Sequence, residues 1–136
     1  FTELYDGAGT VIADGSITTA KLADDAVSYA KLGAEFTTSG TITAATDVDM
    51  DFSTAQVFTM TSSVAVDVNF TNASVGMVKD LIVTDSGGTS SLTFDTTTNT
   101  ITTIAGEYNA TAGVVNFIQV VCVAANTFFL SISQSV

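Results

Sequence analysis

The side chains able to do chemistry in this chain are its carboxylates, its three lysines and one cysteine. Histidine is absent. That excludes Ser-His-Asp and Cys-His catalysis and metal sites built on imidazole. Ser and Thr are abundant but have no adjacent activating base, and nothing singles out Lys21, Lys31 or Lys79 as the partner of a Ser–Lys pair. Two carboxylates can hydrolyse a glycosidic bond, and Asp47, Asp49, Asp51, Asp67 and Glu107 are the pool. A spacing of two along a strand, however, is what any polar outer face produces. Asp47-x-Asp49-x-Asp51 matches the start of a calcium loop, but Phe52 stands where that loop needs Gly and Phe58 where it needs a bidentate Glu. The expectation is a solvated strand face, with a weak Ca²⁺ site shared between subunits as the alternative. Tyr5, Tyr29 and Tyr108 are too scattered to form a sugar platform. Three Asn-x-Ser/Thr sequons, at Asn69, Asn72 and Asn109, are what chance gives in a chain this rich in Ser and Thr. No catalytic residue, cofactor or resident metal is expected, and the chain is read as not an enzyme.

Composition narrows the partners. The net charge is −11 and there is no Arg. Neutralising nucleic-acid phosphates needs cations that this chain lacks, and attraction to an anionic membrane fails for the same reason. Only 12% of residues are charged while 46% are hydrophobic, about half the usual charge. The surface must be covered by Thr, Ser, Asn and Ala or by another subunit, so self-association is the expected partnership. Cys122 lies in an apolar run and reads as a small buried hydrophobe. The most apolar stretch, residues 114–125, is too short to cross a bilayer and contains Asn116 and Gln119. The first residue is Phe1, not Met, which suggests a processed product or a portion of a longer protein.

Residues 14–33 organise the rest. They read as two tandem units, Asp14-Gly-Ser-Ile-Thr-Thr-Ala-Lys-Leu-Ala and Asp24-Asp-Ala-Val-Ser-Tyr-Ala-Lys-Leu-Gly. Aliphatic residues fall at Ile12, Ile17, Leu22, Val27 and Leu32, a spacing of five. Five fits neither a strand, an α-helix nor a coiled coil. It predicts an extended piece followed by one or two helical turns, N-capped by Thr18 and Ser28. Such a unit exposes its aliphatic side unless it meets copies of itself. Lys21 and Lys31, near Asp14, Asp24 and Asp25, are plausible register marks between chains.

From Asp47 onward the period becomes two. Val48, Met50 and Phe52 alternate with aspartates, and Val64, Val66, Val68 and Phe70 alternate with Ala65, Asp67 and Asn69. Further strands are expected at about 55–60, 77–84, 91–94 and 100–104, and all are read as antiparallel. A closing hairpin pairs residues 114–124 with 127–133 across Ala125-Asn126. Its second arm buries Phe128, Leu130 and Ile132 and turns Phe129 outward. Its first arm is apolar on both faces, with Val115, Phe117, Val121 and Val123 on one of them. A strand wet on one side does not look like that. Either the arm is covered on both sides within a sandwich or one face meets a neighbouring protomer.

The sequence Asp14-Gly-Ser-Ile-Thr-Thr-Ala-Lys-Leu-Ala-Asp-Asp-Ala-Val resembles the linker repeats of tailed-phage tail fibres and related virion fibre proteins. The series Asp47-Val-Asp-Met-Asp-Phe-Ser-Thr-Ala-Gln-Val-Phe, Val66-Asp-Val-Asn-Phe-Thr-Asn-Ala and Leu81-Ile-Val-Thr-Asp-Ser-Gly-Gly, followed by the hairpin, is similar to a β-module at the C-terminal ends of such proteins. That module often carries a Trp after its Gly turn. Here Ser91-Leu-Thr-Phe-Asp-Thr-Thr-Thr occupies the place, so no ligand-binding residue is carried over. The resemblance implies a structural virion protein of a tailed bacteriophage, a homotrimeric fibre or fibre tip in contact with the host surface, a glycan or a receptor, and docked to other virion proteins through its N-terminal segment.

The expected organisation is an arm and stem over residues 1–33, a linker over 34–46 and an all-β, antiparallel, jelly-roll-like sandwich over 47–136. Ile12, Ile17, Leu22, Val27, Leu32, Val115, Phe117, Val121 and Val123 are the expected oligomer interface. Two other functions stay open. One is a capsid decoration or head fibre protein. The other is a lectin-like adhesin, with binding loops at 69–75, 95–99 and 107–112 by composition.

Overall fold

The computed structural model describes Thr18, residues 22–24 and residues 26–135. The chain divides into two compact units, Phe1–Lys31 and Leu32–Val136. In the first, the turn expected after Ser28 is a 3₁₀ turn over Tyr29–Lys31, closed by the Lys31 N–H donating to the Ser28 carbonyl at 2.9 Å. The equivalent turn after Thr18, with Ile12, Ile17 and Lys21, lies outside the described residues.

The second unit begins with a one-turn helix α1 (Ala34–Thr37) and continues with β1 (Ser39–Thr41), β2 (Asp47–Asp51), β3 (Val57–Ser62), β4 (Ala65–Thr71), β5 (Val78–Asp85), β6 (Ser91–Phe94), β7 (Thr100–Ala105), β8 (Val115–Ala124) and β9 (Thr127–Gln134). The strands lie close to where the period-two pattern predicts them. The stretch expected to be a linker instead carries α1 and β1, and β1 pairs with β3.

The all-β expectation is met. The antiparallel, jelly-roll-like expectation is not. Six strands form one sheet, in the order β1-β3-β5-β8-β9-β7, and three form another, β2-β4-β6. Of the seven strand pairings among the described residues, five are parallel. The physical reason is in the connections. Each turn from β1 to β6 carries the chain across to the opposite sheet, so consecutive strands face one another through the core and pair with the strand two further on. The result is a β-solenoid-like coil in which a rung is one strand of each sheet. Parallel pairing needs a crossover, and here the opposite strand supplies it in place of a helix.

Side chains stack from rung to rung. Val48, Val68 and Phe94 are register partners in the smaller sheet, as are Met50 and Phe70. In the larger sheet one row runs Phe58, Leu81, Ile118, Ile132. These inward positions form a continuous buried core. The hairpin β8–β9 is wedged between β5 and β7, antiparallel to β5 on one side and parallel to β7 on the other. Phe128 of β9 ties it to the smaller sheet, with ring centroids 4.8 Å from Phe70 and 5.8 Å from Phe52.

Polar groups finish the two strand ends. The strands of each sheet place 51–57, 71–78, 94–100 and the hairpin turn at one end, and 41–47, 62–65, 85–91 and 105–115 at the other. At the first end, buried Lys79 donates from Nζ to the Glu35 carbonyl and lies 5.5 Å from the Phe36 ring centroid, which anchors α1. Burial pushes its ammonium below the ordinary lysine range, and the nearby Glu35 carboxylate opposes that only in part. At the second end, Tyr108 donates to Asp85 at 2.7 Å, and Asn116 makes two hydrogen bonds to the Asn109 backbone.

Candidate oligomer interface

Among the residues expected to meet other chains, Leu22, Val27 and Leu32 are exposed. Among the described residues of their stretch the helical element is the 3₁₀ turn Tyr29–Lys31. Lys31 donates to the Ala26 carbonyl within its own chain, which takes up the lysine proposed as a register mark.

On β8, alternation separates two faces. Asn116, Ile118, Val120 and Cys122 point into the core and are buried. The Cys122 thiol donates to the Ala124 carbonyl at 3.4 Å, and burial pushes it above the ordinary thiol range. Val115, Phe117, Val121 and Val123, the expected interface residues, point outward, with Phe117 and Val123 each 39% exposed. The structure therefore brings these four together on the outer side of the larger sheet.

Register shows what surrounds them. Val78 lies opposite Val121 and Ile82 opposite Phe117 on β5. On β9, Phe129 lies opposite Val121. Val57 and Thr59 extend the same face on β3. Phe129 and Val78, 40% and 38% exposed, were not assigned to the interface from sequence. The alternation of β5 separates Val78 and Ile82 from Lys79, Leu81 and Val83 and so marks their face. Only strand register reveals that this face adjoins β8. Polar side chains interrupt it: Thr59, Thr84, Ser131 and Ser133, and Gln119, which donates from Nε2 to Asp80 at 3.4 Å. Asp80 is the one charged side chain on the outer face of the larger sheet among the described residues.

The outer face of the smaller sheet is the reverse. Asp47 is the register partner of Asp67, and Asp49 of Asn69. Two of these carboxylates are bound to sheet neighbours: Thr93 donates to Asp67 at 2.8 Å and Asn69 to Asp49 at 3.0 Å. Asp51 accepts from the Ser53 hydroxyl and N–H at 2.7 and 2.9 Å, which holds its carboxyl below the ordinary range and closes the turn after β2. Among the described residues no group of three or more His, Cys, Asp or Glu gathers to hold a metal ion.

Of the three loops named for a lectin-like site, two come together and the third lies apart. Asn99 donates to Asn69 at 3.0 Å, so residues 95–99 sit beside the end of β4. Residues 107–112 are tied to Asp85 and Asn116, at the opposite end of the strands. An open cleft of about 500 Å³ lies at the first rung, lined by Ile42, Val48, Phe58 and the Asp47 and Asp49 edge. Its one aromatic lining side chain is Phe58.

The chain matches no family model, no curated protein and no solved structure.

Proposed function

We infer that this chain is a structural virion protein of a tailed bacteriophage, a β-rich module on a repeat stem that works as a homotrimeric fibre or fibre tip. The observation that carries the reading is the series Leu22, Val27 and Leu32, exposed at the spacing of the stem repeat immediately before a β-unit. A single copy leaves that series in water, and association with further copies buries it. The resemblance of the repeat to fibre linkers supplies the virion setting. The acidic, Arg-free surface speaks for solubility and against nucleic-acid or anionic-membrane partners.

Light scattering across a dilution series tests this. The expected mass is that of three copies. L22S/L32S is expected to weaken association while the β-unit stays folded by circular dichroism. A single-copy mass at every concentration defeats the reading.

A further inference from the structure

We propose that the outer face of the six-stranded sheet is the head's own self-association surface, packed against the same face of other copies of this chain. It rests on the homomeric reading above and assigns it a second, separate interface. Three observations point to a copy as the occupant.

The first is the residue pattern. Antiparallel strands with one face in water alternate apolar inward with polar outward, and β5, β8 and β9 are antiparallel neighbours. Here the inner face meets the smaller sheet, while Val78, Phe117, Val123 and Phe129 stay exposed on the outer one. The second is charge. A −11 chain repels its copies, yet its carboxylates at Asp47, Asp49 and Asp67 lie on the other sheet, and among the described residues this face carries only Asp80, already engaged by Gln119. Apposing these faces turns the acidic sheets away from one another. A partner recognised through charge would find nothing to bind here. The third is size. Six strands about 4.8 Å apart and averaging about seven residues present on the order of 600 Å² per copy, close to the roughly 800 Å² that each partner gives to a standard interface.

The test compares the 136-residue chain with F117T/F129T by light scattering across a dilution series. Thr keeps β-propensity and removes the aromatic anchors. The variant is expected to dissociate at a concentration at least about tenfold higher, with circular dichroism unchanged. A folded variant that dissociates where the unsubstituted chain does overturns the proposal. Loss of association in L22S/L32S but not in F117T/F129T removes this interface and leaves the homomeric reading standing. An unsubstituted chain that is always a single copy removes both. Should the variant not fold, hydroxyl-radical labelling of the unsubstituted chain reads the same contact. Oxidation of Phe117 and Phe129 is expected to fall severalfold on going from dilute to concentrated protein, and equal labelling at both overturns the proposal.

Discussion

Asp85 is 1% exposed at the end of β5 and accepts from the Tyr108 hydroxyl at 2.7 Å and the Gly87 N–H at 2.6 Å. Burial alone would raise its carboxyl, but the hydrogen bonds outweigh that and hold it below the ordinary 3.8. Tyr108 moves the other way. Burial first, then the Asp85 carboxylate, push its phenol well above the ordinary 10.0. The two shifts set a window. A depressed carboxyl contributes stability that is complete above its unfolded value and is lost as pH falls through the folded one. A raised phenol contributes stability that is complete below its unfolded value and is lost as pH rises through the folded one. Tyr108→Phe is therefore expected to cost about 1–3 kcal/mol at neutral pH. The gap between variant and parent should narrow below 3.8 and above 10.0. Urea melts at acid, neutral and alkaline pH check this, and a pH-independent gap would show that the bond is not coupled to either ionisation.

At the scale of elements, the docking of β8–β9 depends on aromatic contact between sheets. Phe70 of β4 sits among Phe52, Phe94 and Phe128 at centroid separations of 5.7, 5.6 and 4.8 Å. Phe70→Ala and Phe128→Ala are each expected to cost about 3–5 kcal/mol. Together they should fall short of additivity by about 0.5–1.5 kcal/mol, the worth of one aromatic pair. Strictly additive losses in a denaturant-melt cycle would mean that the hairpin is not seated on the smaller sheet.

This element scale also shows what was legible in the sequence. Strand positions were, because inward residues such as Val66, Val68 and Phe70 alternate with outward Asp67 and Asn69. The hairpin was, because its two arms flank Asn126, which takes a φ of 51°. Strand direction was not, because alternation is the same in parallel and antiparallel ladders. Residues 63–64 make a short link, yet it takes the chain from β3 in one sheet to β4 in the other. The two-faced character of β8 was legible, and so were its four outward residues. Their neighbours Val78 and Ile82 were not, since nothing local says that β5 pairs with β8 across 29 intervening residues.

At the scale of the whole molecule, the balance between apolar burial and charge decides whether copies associate. Each copy brings a net charge of −11, and long-range repulsion between copies persists even when their acidic sheets point apart. Asp47 and Asp67 already lie side by side within one copy, and the described residues offer almost no cation to offset them. Salt then acts in one direction. Raising NaCl from about 0.1 M to about 1 M shortens the screening length from about 10 Å to about 3 Å. That removes repulsion between copies and spares the apolar contacts proposed for Leu22, Leu32, Phe117 and Phe129, so the dissociation midpoint is expected to move to lower protein concentration. Sedimentation or light scattering at the two salt levels measures it. An assembly held by charge pairs between copies would loosen with salt, and that outcome would place the contacts on the aspartate and lysine side chains instead of on the apolar stem and sheet face.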